Sequence, residues 1–227
     1  MNEFFQTPRV VFFLAALMLL GLAVPAPAAF LTGHYPFSAR MAQHLILQLV
    51  VPPLVLLSLP VLDSSRLWRP VDWLLKKPVL TWFLGLGAMW VWHTPALCNA
   101  AVRSSVLHGA QSLSLLLLGA AFWWPIAGPC LLQRLPPLLG IVYLFTACLG
   151  CTILGVIVTF APPGLYLGAA VLSDWQFAWP VDQRAGGLLM WVPGCLIYIF
   201  GILCLMARWY GMPEVEVFPA GAKERIS

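Results

Sequence analysis

Four histidines stand in this chain, His34, His44, His93 and His108, and the last three fall inside apolar runs. An ionisable side chain in such a run is expensive to bury, so each of the three is a functional candidate by default. Their neighbours share their faces. Met41, His44 and Gln48 follow an i, i+3, i+7 pattern, Met89 and His93 are four apart, and His108, Gln111 and Ser112 lie within one helical turn. Imidazole beside thioether suits copper, soft sulfur favouring Cu(I). Neutral imidazole nitrogen suits zinc or haem iron equally. A competing reading makes the histidines interhelical hydrogen-bonding groups that fix register. Met41, Met89 and Met190 carry little weight alone, because methionine at helical spacing is more often packing than ligand.

The six cysteines are less informative. Cys148 and Cys151 form a C-x-x-C pair, a redox or metal signal when it lies in a wet turn. Here the pair falls in the middle of an apolar run, with no basic partner to make a thiolate, and inert packing is the better reading. Cys195 and Cys204 lie in another such run. Cys98, a few residues after His93, is the thiol placed where chemistry can use it, and is a possible further ligand with Met41 and Met190. Asp63, Asp72, Asp174 and Asp182 lie outside the apolar runs. No G-x-S-x-G, H-E-x-x-H or P-loop pattern is present.

The elements that carry these residues follow from composition. Of 227 residues, 61% are hydrophobic and 9% are charged, and the mean hydropathy is +0.90. Soluble domains carry roughly 25% charge, so a soluble enzyme, a disordered chain, a collagen and a disulfide scaffold are excluded. Apolar runs of about 20 residues predict six spans, approximately Val10–Ala28, Arg40–Pro60, Pro78–Leu97, Ser104–Ala127, Pro136–Phe160 and Ala185–Met206. The expected fold is all-α, a polytopic membrane helix bundle forming one domain over residues 1–227, with 209–227 as a short cytoplasmic tail. For the first span a retained, signal-like anchor helix is the expected reading, and a secretory signal cleaved at the small residues (Ala-Pro-Ala) before Phe30 competes with it. Pro52, Pro53 and Pro193 are expected to kink their spans.

Lys and Arg set the orientation. Arg9, Arg66, Arg69, Lys76, Lys77, Arg134, Arg208, Lys223 and Arg225 fall on one side, and Arg40, Arg103 and Arg184 on the other. Nine against three places both termini in the cytoplasm. His44, His93 and His108 then lie on three different helices, each roughly 5–8 Å below the outer surface at a rise of about 1.5 Å per residue. The loop from Ala161 to Arg184 is long enough to fold back over that end.

Four stretches resemble one family. MAQHLILQLVVPPLVLL from Met41, WVWHTPALCNAAV from Trp90, VLHGAQSLSLLLLGAAFWWPI from Val106 and DQRAGGLLMWVPG from Asp182 are similar, in this order, to the CtaG-type assembly factors of caa3-type cytochrome c oxidase. The resemblance runs from about Arg40 to Arg208. It implies a multi-pass protein of the bacterial inner membrane, not an enzyme, that helps metal reach a haem–copper oxidase. It also implies that His44, His93 and His108 are the motif histidines and that Asp182 and Gln183 are the D-Q of the last motif. The chain departs from that pattern at Gln111 and Ser112, where members carry an acid and a second histidine, and at Cys98 and Asn99.

Four functions follow. The leading one is assembly or maturation of a cytochrome c oxidase by handling copper near the periplasmic face, with an oxidase subunit or a copper chaperone as partner and no nucleic acid. A haem-binding redox protein using the same histidines is the alternative. A transporter would show inverted repeats or midplane charges, and neither is visible. A structural accessory subunit would use the histidines for packing alone.

Overall fold

The computed structural model describes residues 3–23, 36–61, 69–162, 164–166 and 179–211. His34, Asp63, Arg66, Asp174, Lys223, Arg225 and the Ala-Pro-Ala stretch lie outside them. Among the described residues every regular element is helical. Helix α1 is Glu3–Ala23 and α2 runs as Pro36–Leu45, a π-helical turn Ile46–Val50, and Val51–Ser58. Then follow α3 (Arg69–Leu75), α4 (Pro78–Trp92), α5 (Pro95–Arg103), α6 (Ser105–Ala127), α7 (Pro137–Phe160) and α8 (Trp179–Tyr210).

Four helices are long and apolar enough to cross a membrane: Phe37–Ser58, Ser105–Ala127, Pro137–Phe160 and Pro180–Tyr210. Two shorter apolar helices, Arg9–Ala23 and Pro78–Trp92, accompany them. Their apolar faces point outward. On α7, Leu138, Val142, Phe145, Leu149, Ile153, Ile157 and Phe160 recur every three or four residues and are all exposed. Such a stripe is a lipid-facing surface, whereas a soluble bundle turns it inward.

Helix α2 is the central element, 56% of its span being buried against 22% for α6 and α8. It packs on α1, α6 and α8, while α4 packs on α6, and α7 pairs along its length with α8. Small residues set these distances. A Cβ on Gly119 of α6 would stand 2.7 Å from the Gln48 carbonyl of α2, and one on Gly155 of α7 would stand 2.7 Å from the Trp191 Cβ of α8.

Proline accounts for two departures from regular helix within these runs. The run from Pro78 to Leu97 is broken, because Pro95 biases the residue before it away from helix. Thr94 is extended (φ −62°, ψ 138°), so α4 stops at Trp92 and α5 starts afresh at Pro95. In α2, Pro52 and Pro53 lack the N–H groups that the preceding turn would use, and that turn is π-helical. By contrast, Pro193 lies inside a continuous α8. The end of the bundle remote from the histidines is tied at Asp72, which accepts from Lys76 Nζ (2.6 Å) and from Gln133 Nε2 (2.7 Å).

Candidate functional site

The π turn begins two residues after His44, and α4 ends one residue before His93. These two irregularities bring the imidazoles together. His44 Nδ1 lies 3.3 Å from His93 Nε2, with ring centroids 5.1 Å apart and planes at 87°. Both side chains are buried. His93 Nδ1 is 2.6 Å from the Met89 carbonyl, an acceptor only, so the proton sits on Nδ1 and Nε2 offers a lone pair. His44 Nδ1 then donates to His93 Nε2, and the lone pair of His44 Nε2 has no partner. Tautomers along this line are thus decided by one backbone carbonyl. Leu45, Gln48, Leu49, Met89 and Met190 close a narrow void around the pair.

Two nitrogens each about 2.0 Å from one ion, at the tetrahedral angle, are about 3.3 Å apart. The His44–His93 separation has that bite. Of the thioethers, Met89 and Met190 line the same void, while Met41 is buried against Gly186 of α8. His108 stands beside the pair and outside it. On α6 it is half-buried, within electrostatic reach of His44 and Arg40, and its Nδ1 has no partner. Among the described residues no group of three His, Cys, Asp or Glu side chains comes within metal-holding distance. Cys98 of α5 is buried near Arg40 and away from the void; burial pushes its thiol up to about 11, against the opposing pull of that guanidinium.

The remaining candidates are joints. Gln48 Nε2 donates to the Gly85 carbonyl (2.7 Å) and ties α2 to α4. Asp182 accepts from the backbone N–H groups of Phe37 (2.8 Å) and Ser38 (2.9 Å) and from Ser38 Oγ (2.5 Å). It therefore caps α2 from the first turn of α8. Gln183 Nε2 donates to the Ala161 carbonyl (3.0 Å) at the end of α7. The D-Q pair clamps three helices at the histidine end.

Two further residues belong to the site. Arg40, one turn before His44 on the same face, is buried with its Nη1 unpartnered; its i, i+4 spacing from His44 was visible, but it reads as a loop-flanking charge. Tyr166 lies in the Ala161–Arg184 stretch and donates from its hydroxyl to the His93 carbonyl (3.0 Å), so the described part of that stretch does cover the histidine end. Burial pushes its phenol up to about 12. Nothing local in the sequence marks it, because the contact spans 73 positions.

A family model for the cytochrome c oxidase caa3 assembly factor matches residues 2–211, including the α2, α4, α6 and α8 segments that build this site. The chain belongs to that family. It also resembles uncharacterised mycobacterial proteins. One from Mycobacterium leprae is 27% identical over 203 residues, covering 78% of this chain and 30% of its own length. One from Mycobacterium bovis is 26% identical over 206 residues with the same coverage. The chain thus spans less than a third of these curated relatives. No solved structure matches it.

Proposed function

We propose that this assembly factor is a single membrane domain of six spans with both termini in the cytoplasm. In that frame it receives copper at its outer face and passes it to a haem–copper oxidase subunit of the bacterial inner membrane. The observation that carries this reading is the His44–His93 pair with its tetrahedral bite of 3.3 Å, lined by Met89 and Met190, in a family that assembles an oxidase. Copper is cargo here. His44 Nδ1 and His93 Nε2 hold it, and a thioether from Met89 or Met190 supplies the soft third donor that suits Cu(I).

Each side chain has a task. The Met89 carbonyl keeps His93 Nε2 free of a proton, so that this nitrogen is always ready to bind. His44 must move its proton from Nδ1 to Nε2 when the metal enters. Gln111 lies within interaction range of His44, and its amide oxygen has no partner; it accepts that proton's hydrogen bond. With three ligands the ion keeps an open position, which lets an incoming protein ligand displace the donors one at a time. The edge-to-face rings leave no flat slot between them, so the same pair favours copper over haem.

The test is Cu(I) competition against a coloured chelator, with the full chain in nanodiscs. His44→Ala and His93→Ala are each expected to weaken binding at least tenfold, the lower end of what even outer-shell partners cost. His108→Ala is expected to weaken it less. Unchanged affinity in the His44→Ala, His93→Ala double variant, with the protein folded, overturns the reading.

A further inference from the structure

Beside the copper pair lies a second polar seat, and its charge is wrong for a cation. Arg40 is 94% buried (6% relative exposure), yet no hydrogen bond or ion pair holds it among the described residues. A buried guanidinium with no counter-charge is strongly unfavourable. The seat is built by α2 and α6. Arg40 and His44 are one turn apart on α2, His108 and Gln111 are one turn apart on α6, and Gly119 lets the two helices approach closely enough to face these groups across the gap. His44 and His108 lie within electrostatic reach of each other and of Arg40, and Gln111 within reach of both histidines. No hydrogen bond is closed among these four side chains. Arg40 Nη1, His44 Nε2, His108 Nδ1, both amide atoms of Gln111 and Ser112 Oγ are all buried and unpartnered.

Asp182 does not supply the missing charge: its oxygens accept from the first turn of α2, and no ion pair joins it to Arg40. We propose that the seat binds a carboxylate. Arg40 is its counter-charge, and Gln111 Nε2 and the N–H of His108 are its further donors. The planar guanidinium matches two carboxylate oxygens side by side, which a halide cannot offer. One arginine balances one negative charge, which excludes a phosphate dianion. The carboxylate belongs either to a free organic acid or to an Asp or Glu side chain of the client protein. This inference does not rest on the copper reading, because it needs neither His93 nor a metal.

The experiment uses the full chain in nanodiscs, in chelator-treated, chloride-free buffer. Sodium acetate is titrated at constant ionic strength, and unfolding temperature is read from tryptophan fluorescence. Wild type is expected to show a saturable rise in unfolding temperature. Arg40→Gln is expected to abolish it and Gln111→Leu to weaken it at least tenfold. His93→Ala, which cripples the copper pair, leaves it within twofold, as does Arg103→Gln. Without acetate, Arg40→Met is expected to unfold at a temperature equal to or above wild type, since it removes an uncompensated charge. A response shared by wild type and Arg40→Gln, or none up to 100 mM acetate (on the order of a weak millimolar site), overturns the proposal, leaving a water-filled seat only. An Arg40→Met variant that unfolds earlier also overturns it, making the arginine a packing residue. A response absent from wild type and gained in Asp174→Asn would assign the counter-charge to the chain itself and overturn it too. A final arm locates the source. Acetate that displaces a captured oxidase subunit assigns the carboxylate to the partner's side chain, and capture indifferent to acetate assigns it to a free acid; either supports the proposal.

Discussion

Individual side chains at the histidine end divide into holders and builders, and the division was invisible before their partners were known. Asp182 is a builder. Its carboxylate satisfies two orphan N–H groups of α2 from another helix, so Asp182→Ala is expected to cost about 2 kcal/mol, the upper end for a lost cap. Chemical unfolding in mixed micelles measures this, and a change too small to detect would remove the clamp from the account. Cys98 was placed by the sequence where chemistry could use a thiol. The structure buries it and raises its pKa to about 11, which leaves about one molecule in a thousand as thiolate at pH 8. Iodoacetamide at pH 8 is therefore expected to modify Cys98 in the folded protein far more slowly than in denaturant. Peptide mass spectrometry reads the ratio, and equal rates would show an accessible thiol.

At the scale of elements, the site depends on helices being irregular where they meet. A straight α4 continuing to Leu97 would carry the His93 backbone onward as helix, whereas Pro95 ends the helix and leaves His93 at its C-cap. The π turn in α2 has the matching effect next to His44. Close packing of α2 on α6 then holds the histidine face together. A Cβ at Gly119 would press on the Gln48 carbonyl at 2.7 Å, whereas one at Gly87 would meet nothing within 4 Å. Gly119→Ala is thus expected to destabilise by about 1–3 kcal/mol, as overpacking does. Gly87→Ala should be neutral or slightly stabilising, as a gain in helix propensity predicts. Similar unfolding midpoints for the two variants would refute the packing argument.

For the whole molecule, the proposed orientation rests on the Lys/Arg asymmetry: nine on one side against three on the other. A fluorescent protein fused after Ser227 is expected to glow and a phosphatase fused there to stay silent; an active phosphatase would invert the topology and move the histidines to the cytoplasmic face. How much was legible beforehand follows physical lines. Composition alone required a membrane bundle, because 20 charges cannot cover 227 residues in water. Helical spacing alone put Met89 on the face of His93, since that relation is local. The depth argument drew His44, His93 and His108 to one level, but depth has no azimuth. Only tertiary packing decided that His44 meets His93 while His108 stands aside with Arg40, because which helix faces meet depends on Gly119 and on interhelical caps. The same holds for Asp182 and Tyr166, whose partners lie 144 or 145 and 73 residues away. Local pattern encodes what one helix presents to its surroundings; which groups meet across a dry interface is settled only when every buried donor has competed for an acceptor.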